Sequence, residues 1–393
     1  MDRSLLHRAR AVAAERFGAS MADSGRCFFA SGRVNLLGAH IDYHGGCVLP
    51  VAVDRGIVVL ARRRDDRRFR LASAQFPDVI AGELDALPDR AAAGWAAYPV
   101  GIFALLASEG RRLPGFDLVF AGDLPVGAGL SSSAALLVAT ATAVAALTDS
   151  EQSPIDAARL AFRAETGFVG VRCGIMDPFA SALGRPGHAL WLDCKDQSHD
   201  WLPLPVDRMA FVMLDSMTRR DLKQGGLNRR VEESLGALAV LQRELPGLTC
   251  LRDVAPEELD RRRDRLSPLQ FQRARHVVTE VARVGRAREL LRRGELLEFG
   301  QLMWASHLSS RHLYEVSTPR LDALQELALG HPACYGARLT GAGFGGCALA
   351  VVRPAAVEAF AEQVAAGFAD RFGERPAVHA LGFGQAPGEV HDA

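Results

Sequence analysis

Two rhythms of apolar and polar residues run along this chain, one alternating and one helical. The opening MDRSLLHRARAVAAERFG has helical spacing, charges throughout and no apolar signal-peptide core. CFFASGRVNLLG (27–38) reads as a strand entering a Gly-rich turn. GCVLPVAVDRGIVVLARRR (46–64) reads as further strands and RFRLASAQF (68–76) as another strand of a meander. GWAAYPVGIFALLASEG (94–110) returns to helical spacing and ends at a glycine. FDLVFAGDLP (116–125) is a strand feeding a glycine loop, and a buried helix opens at the serines and runs to about 148. After the turn-rich DCKDQSHDWLPLP, the strand MAFVMLDS (209–216) begins a second half, so the expected units are residues 1–205 and 206–393. Residues 228–310 are helical in pattern, and 333–353 reads as strand, glycine turn, strand. A helix over 355–373 and a strand over 377–384 follow, with QAPGEVHDA expected to fray.

Composition narrows the classes. The 393 residues carry 46 Lys and Arg against 46 Asp and Glu, a net charge of zero. A nucleic-acid or acidic-membrane partner would need a basic excess. Seven cysteines are scattered without a CxxC pair, which argues against a disulfide framework or zinc site and for a cytoplasmic setting. The longest apolar run, 134–148, is short for a membrane span.

Three polar, glycine-rich stretches carry the candidate chemistry. In PVGAGLSSSAALL (125–137), Pro125, Gly127, Ala128, Gly129 and Leu130 precede Ser131, Ser132 and Ser133 at a helix start. Glycines let backbone N–H groups converge, and the helix end adds more, so the loop suits an anion. Serine hydroxyls suit phosphate or Mg2+. It lacks the lysine of a P-loop, and read alone it is equally a serine cap with glycines for chain reversal. In VRCGIMDPFASALG (171–184), Asp177 before Pro178 fits a helix N-cap with proline at N1, and the same carboxylate can take a proton from a hydroxyl. Glu165 lies twelve residues earlier on an amphipathic helix. GAHIDYHGG (38–46) gathers two histidines and an aspartate, and TGAGFGGCALAVV (340–352) is a third glycine loop.

In this order GRVNLLGAHIDYHGG, PVGAGLSSSAA and LTGAGFGGC resemble the motifs of the galactose, homoserine, mevalonate and phosphomevalonate (GHMP) kinase superfamily, most closely its galactokinase branch. GWAAY and CGIMD extend the similarity over roughly 27–385. The resemblance implies an α+β, two-domain fold with the active site in the interdomain cleft. Its N-terminal domain would be ribosomal protein S5 domain 2-like and its C-terminal domain ferredoxin-like. It implies ATP and Mg2+ as cofactors, a small sugar as the other substrate, and a monomer. Ser133 and Glu165 would hold the metal, and the loop over 125–133 the triphosphate. Asp177 would be the base toward the anomeric hydroxyl, beside Arg33. His40, Asp42 and Gly174 would meet the sugar. Trp95 and Tyr98 would border the adenine, and Gly343 would brace the phosphates.

Three positions depart from that branch. Pro178 stands where glutamine is usual, Leu227 where a tyrosine covers the sugar, and Ala39 where a glutamate accepts from the C6 hydroxyl. A retained glutamate would oppose a C6 carboxylate by about 4 kcal/mol at ~4 Å and an effective dielectric of about 20. Its absence relieves that repulsion. GAHID, LASAQF, GLSSSAA and DCKDQSHD look more like the plant galacturonokinase type, so D-galacturonate is the expected substrate. Arg219, Arg220, Lys223, Arg229 or Arg230 would approach its carboxylate. Galactose and L-arabinose are the alternatives, and a non-catalytic sensor of ATP and sugar is the alternative of another class.

Overall fold

The computed structural model describes residues 3–125, 129–218 and 226–391. Its strands are β1 (Arg26–Asn35), β2 (Cys47–Val48), β3 (Pro50–Arg64), β4 (Arg68–Ser73), β5 (Ile80–Glu83), β6 (Gly115–Gly122), β7 (His188–Asp193), β8 (His199–Pro203), β9 (Ala210–Asp215), β10 (Cys334–Thr340), β11 (Cys347–Val352), β12 (Val378–Leu381) and β13 (Gly388–Val390). They form a six-stranded sheet β13-β1-β3-β6-β4-β5, a four-stranded sheet β10-β11-β9-β12 and a three-stranded sheet β2-β7-β8.

In the six-stranded sheet only β4 and β6 run parallel. Both of its faces are covered, which is why β6 reads as an unbroken buried run. The N-terminal helix Ser4–Phe17 places Leu5, Leu6, Ala9 and Ala13 against Phe29, Val58, Leu60 and Val119 on one face. The apolar helices Ala97–Ser108 and Ser132–Leu147 join the main core on the other. Arg90–Ser108 is long and apolar enough to cross a bilayer by composition, and half of it is buried inside the protein.

The helical stretch of the second half resolves into Gly226–Glu244, Pro268–Arg293 and Leu296–His312, with shorter helices between. Pro268–Arg293 opens on a capping box of Ser267 and Gln270 and stops at Gly294 in the left-handed region. Two expectations are corrected. The turn-rich stretch before 206 contains β8, paired antiparallel with β7. The expected fraying does not hold over 388–390, where β13 pairs with β1 and Glu389 meets Arg26 at 2.7 Å. The last described strand thus joins the first.

One polar group is sealed under that sheet. Asp117 on β6 is fully buried and accepts from Arg62 (2.8 Å), Arg64 (3.0 Å) and Arg70 (2.7 Å) on the neighbouring strands. Burial alone would raise its carboxyl pKa, and the three guanidiniums outweigh burial and lower it. Asp117→Ala removes the carboxylate that three partly exposed guanidiniums share, of which Arg64 keeps Asp66 at 2.6 Å, and is expected to cost about 2 kcal/mol of stability in urea denaturation at neutral pH. An unchanged midpoint would refute a stabilising role for Asp117.

Candidate functional site

The site begins with a defect in β1. The pairing of β1 with β3 slips between Ser31 and Arg33, and a bulge of this kind re-aims the next side chain. Gly32 is required there, since a Cβ would stand 2.6 Å from the Leu130 carbonyl. Arg33 N–H donates to that carbonyl at 3.1 Å, tying β1 to the serine loop. The Arg33 guanidinium then reaches Asp177 Oδ1 through Nε (2.8 Å) and Nη2 (2.7 Å), while Nη1 donates to Gly129 O (2.5 Å).

Asp177 does not cap its helix. The helix runs Met176–Ala182 with Ile175 at the N-cap, so Asp177 and Pro178 both lie in the first turn. Its carboxylate faces Arg33 and Ser131 instead of the backbone N–H groups of its own helix. Ser131 Oγ donates to Asp177 Oδ2 at 2.5 Å. The serine stands at the N-cap position of Ser132–Leu147 in the left-handed region (φ 58°) and makes no side-chain cap bond. A plain serine cap therefore does not describe this loop. Ser133, in the first turn, donates to Glu165 Oε1 at 2.7 Å.

Glu165 sits where the helix Pro154–Arg163 passes into a π turn, Ala164–Phe168, a turn type often found at functional sites. Burial pushes its carboxyl up to about 7 against the Ser133 hydrogen bond. A buried acid with so little compensation fits a cation beside it. Among the described residues no group of three or more His, Cys, Asp or Glu could hold a metal. Ser133 and Glu165 would thus supply two oxygens, which suits Mg2+, an ion that completes its shell with water and phosphate.

The loop after β1 supplies the opposite wall. His40 is in the left-handed region, and its Nδ1 lies 3.1 Å from Tyr43 OH, itself 2.9 Å from Tyr314 OH. Asp42 follows, its carboxyl pushed up to about 6 by burial and then by the charge of Asp177. Gly174 must be glycine, because a Cβ would lie 2.1 Å from Asp42 Oδ2. Ala39 is buried and its peptide is held on both sides. Its N–H donates to Glu280 Oε1 (3.0 Å), and its carbonyl accepts from His276 Nε2 (3.0 Å).

A cavity of about 520 Å³ joins these parts. Arg33, Ala39, His40, Asp42, Tyr98, Pro125, Gly129, Leu130, Ser131, Ser132, Ser133, Glu165, Gly174, Asp177 and Leu227 all line it. Trp95 does not; it stacks on Phe76 with ring centroids 5.6 Å apart. Gly343 does not either. Its φ is +76° and a Cβ would sit 2.2 Å from Val316 O, while Gly341 and Ala342 of the same loop face the cavity. Arg229 points outward, with its side chain 75% exposed and paired to Glu233 at 2.9 Å. Gly127, Ala128, Arg219, Arg220 and Lys223 lie outside the described residues. The lining also includes Asn35, Tyr43, Cys173 and the buried Arg338, which sequence reasoning did not single out. Tyr43 lies within the quoted GAHIDYHGG and Arg338 two residues before the third glycine loop. Nothing in their local pattern distinguishes them from core residues.

Three family models match the chain. They are the GHMP kinases N terminal domain over residues 97–185, the galactokinase galactose-binding signature over 14–63 and the GHMP kinases C terminal over 287–370. A galactokinase of Roseiflexus sp. (strain RS-1) is 40% identical over 363 residues, covering 92% of each chain. One of Halalkalibacterium halodurans is 38% identical over 381 residues, covering 96% of this chain and 95% of its own. Among solved structures, Lactococcus lactis galactokinase complexed with galactose superposes with a TM-score of 0.93 at 32% identity, covering 98% of this chain and 100% of that one. Methanococcus jannaschii mevalonate kinase shares the fold, with a TM-score of 0.64 at 17% identity over 92% of this chain and 99% of its own. With relatives this similar along nearly its whole length, the chain belongs to the GHMP kinases, in their galactokinase branch, and is an ATP-dependent sugar 1-kinase of that type.

Proposed function

We propose that this protein transfers the γ-phosphoryl group of ATP to the anomeric C1 hydroxyl of D-galactose. The observation that carries the reading is the Arg33–Asp177–Ser131 constellation, set in one cavity with His40 and Asp42. Asp177 Oδ accepts the C1 hydroxyl proton as the new O–P bond forms and the bond from the γ-phosphorus to the β–γ bridging oxygen breaks, releasing ADP. Arg33 orients that carboxylate and places positive charge beside the transferred group. The backbone N–H groups at the start of Ser132–Leu147 receive phosphate oxygens, and Tyr98, rather than Trp95, borders the adenine. Mg2+ on Ser133 and Glu165 would supply charge neutralisation on the phosphates. His40 and Asp42 hydrogen-bond the sugar ring. This arrangement works by positioning and electrostatics, as phosphoryl transfer requires. Residues 1–205 and 206–393 are proposed as the two lobes, with the final strand returning to the first, and the protein as a cytoplasmic monomer.

Galactose takes precedence over the galacturonate that position 39 suggested, because relatives at 38–40% identity carry the name galactokinase and one related structure holds galactose. Galacturonate is kept as a second reading on one observation. Ala39 lines the cavity where a glutamate would stand, and the buried Arg338 lines the same cavity.

Three measurements test this. A panel of galactose, galacturonate and arabinose with ADP-release detection should rank galactose first by kcat/KM. Galacturonate ranking first would displace it and support the second reading, in which case Ala39→Glu should depress uronate turnover more than about tenfold. Asp177→Asn should lower kcat by about a thousandfold while sugar binding by calorimetry persists. Retained turnover would exclude the base role. Glu165→Gln should raise the Mg2+ concentration for half-maximal rate by about tenfold with sugar KM little changed, and an unaltered Mg2+ requirement would remove Glu165 from the metal site.

A further inference from the structure

We infer that Glu280 and His276, one helical turn apart on Pro268–Arg293, are positioning residues that fix the sugar loop from behind, outside the cavity lining. The inference rests on the sugar-kinase reading and deepens it, because it says what holds the wall at Ala39 in place.

Neither residue lines the cavity. They act through the backbone of residues 38 and 39. Glu280 Oε1 accepts from Gly38 N–H and Ala39 N–H, both at 3.0 Å, and from Ser306 Oγ at 2.6 Å. Its other oxygen accepts from Arg283 Nε at 2.6 Å. His276 donates from Nε2 to the Ala39 carbonyl, so Nδ1 is the acceptor for Ser309 Oγ at 2.8 Å. Its ring stacks on Tyr314 with centroids 4.4 Å apart, and Tyr314 in turn meets Tyr43. One peptide unit on each side of Ala39 is thereby held by a helix about 240 residues distant in sequence.

The protonation states agree with this geometry. Burial would raise the Glu280 carboxyl pKa, but Arg283 and Arg338 outweigh it and keep the acid ionised. Burial lowers His276 to about 4, so the ring is neutral and has one N–H to give. That N–H goes to Ala39.

The need for such a clamp is visible in the next residue. His40 has φ 58°, a conformation that costs a non-glycine residue of its size free energy and persists only where surroundings impose it. If the Ala39 peptide is released, His40 relaxes and the sugar contacts at His40 and Asp42 lose their registration. The nucleotide side, built on Ser131–Ser133, keeps its own anchors in Arg33 and Glu165. The clamp therefore bears on the sugar and not on ATP.

The test is initial-rate kinetics on the full chain with galactose and ATP varied separately. Glu280→Gln should raise the sugar KM about tenfold or more, with ATP KM changed less than about twofold. Ser306→Ala removes one ligand of the same carboxylate without touching the backbone contacts, and should raise the sugar KM about threefold. It keeps the proposal testable if Glu280→Gln does not fold. A sugar KM unmoved in a folded variant, or both KM values rising together, would overturn the positioning role while leaving the kinase reading intact. Failure of the unaltered chain to phosphorylate any sugar would instead overturn that reading, and the inference with it.

Discussion

A carboxylate sealed from water must find its hydrogen bonds and its countercharge inside the protein. Glu280 meets that demand from two backbone N–H groups of the loop after β1, a serine of Leu296–His312 and an arginine of its own helix. Apolar contacts alone would let the helices of the second half slide against the loop, whereas this set of directional bonds admits one register. The wall carrying Ala39 and His40 is then placed relative to Asp177, which hangs from a different helix.

The wall carrying Arg33 and Asp177 is organised by the same principle in a more open setting. Arg33 is almost wholly buried, and Asp177 is partly exposed. Their pairing draws together a bulged strand, a helix start and the serine loop. Ser131 and His40 both hold the left-handed backbone that side chains avoid, one on each wall. Each costs on the order of 1–3 kcal/mol, and each sits beside a dense set of hydrogen bonds, Asp177 with Arg33 on one wall and Glu280 with His276 on the other. Asp149 and Gln197 hold the same backbone away from the cavity, but at Ser131 and His40 the strained residue itself lines it.

The three glycine-rich stretches, the helix opening at the serines and most strands were legible in the chain, because glycine patterns and apolar period are local properties. Asp177 was legible as an acid at a helix start but not as to its partner, since the choice between backbone N–H groups and Arg33 depends on a strand 144 residues away. The same limit applied to Trp95 and Arg229. Residue type suggested an aromatic and an arginine for the site, but Phe76 and Glu233 claim those side chains. The C-terminal tail looked unstructured because three residues of a strand carry almost no periodic signal, and its partner is β1.

By itself the sequence indicated the pieces of the chemistry: a loop of glycines and serines suited to an anion, an acid at a helix start, and a loop of histidine and aspartate. These are fixed by residue type and near spacing. Only the tertiary structure decided which polar groups meet. It joined Ser131 to Asp177, turned Arg229 to solvent, brought Arg338 to the cavity and put Glu280 behind Ala39. The physical reason is that a hydrogen bond or ion pair is satisfied by whatever group lies within about 3 Å, and for residues hundreds of positions apart that proximity is set by the packing of sheets and helices rather than by their own sequence.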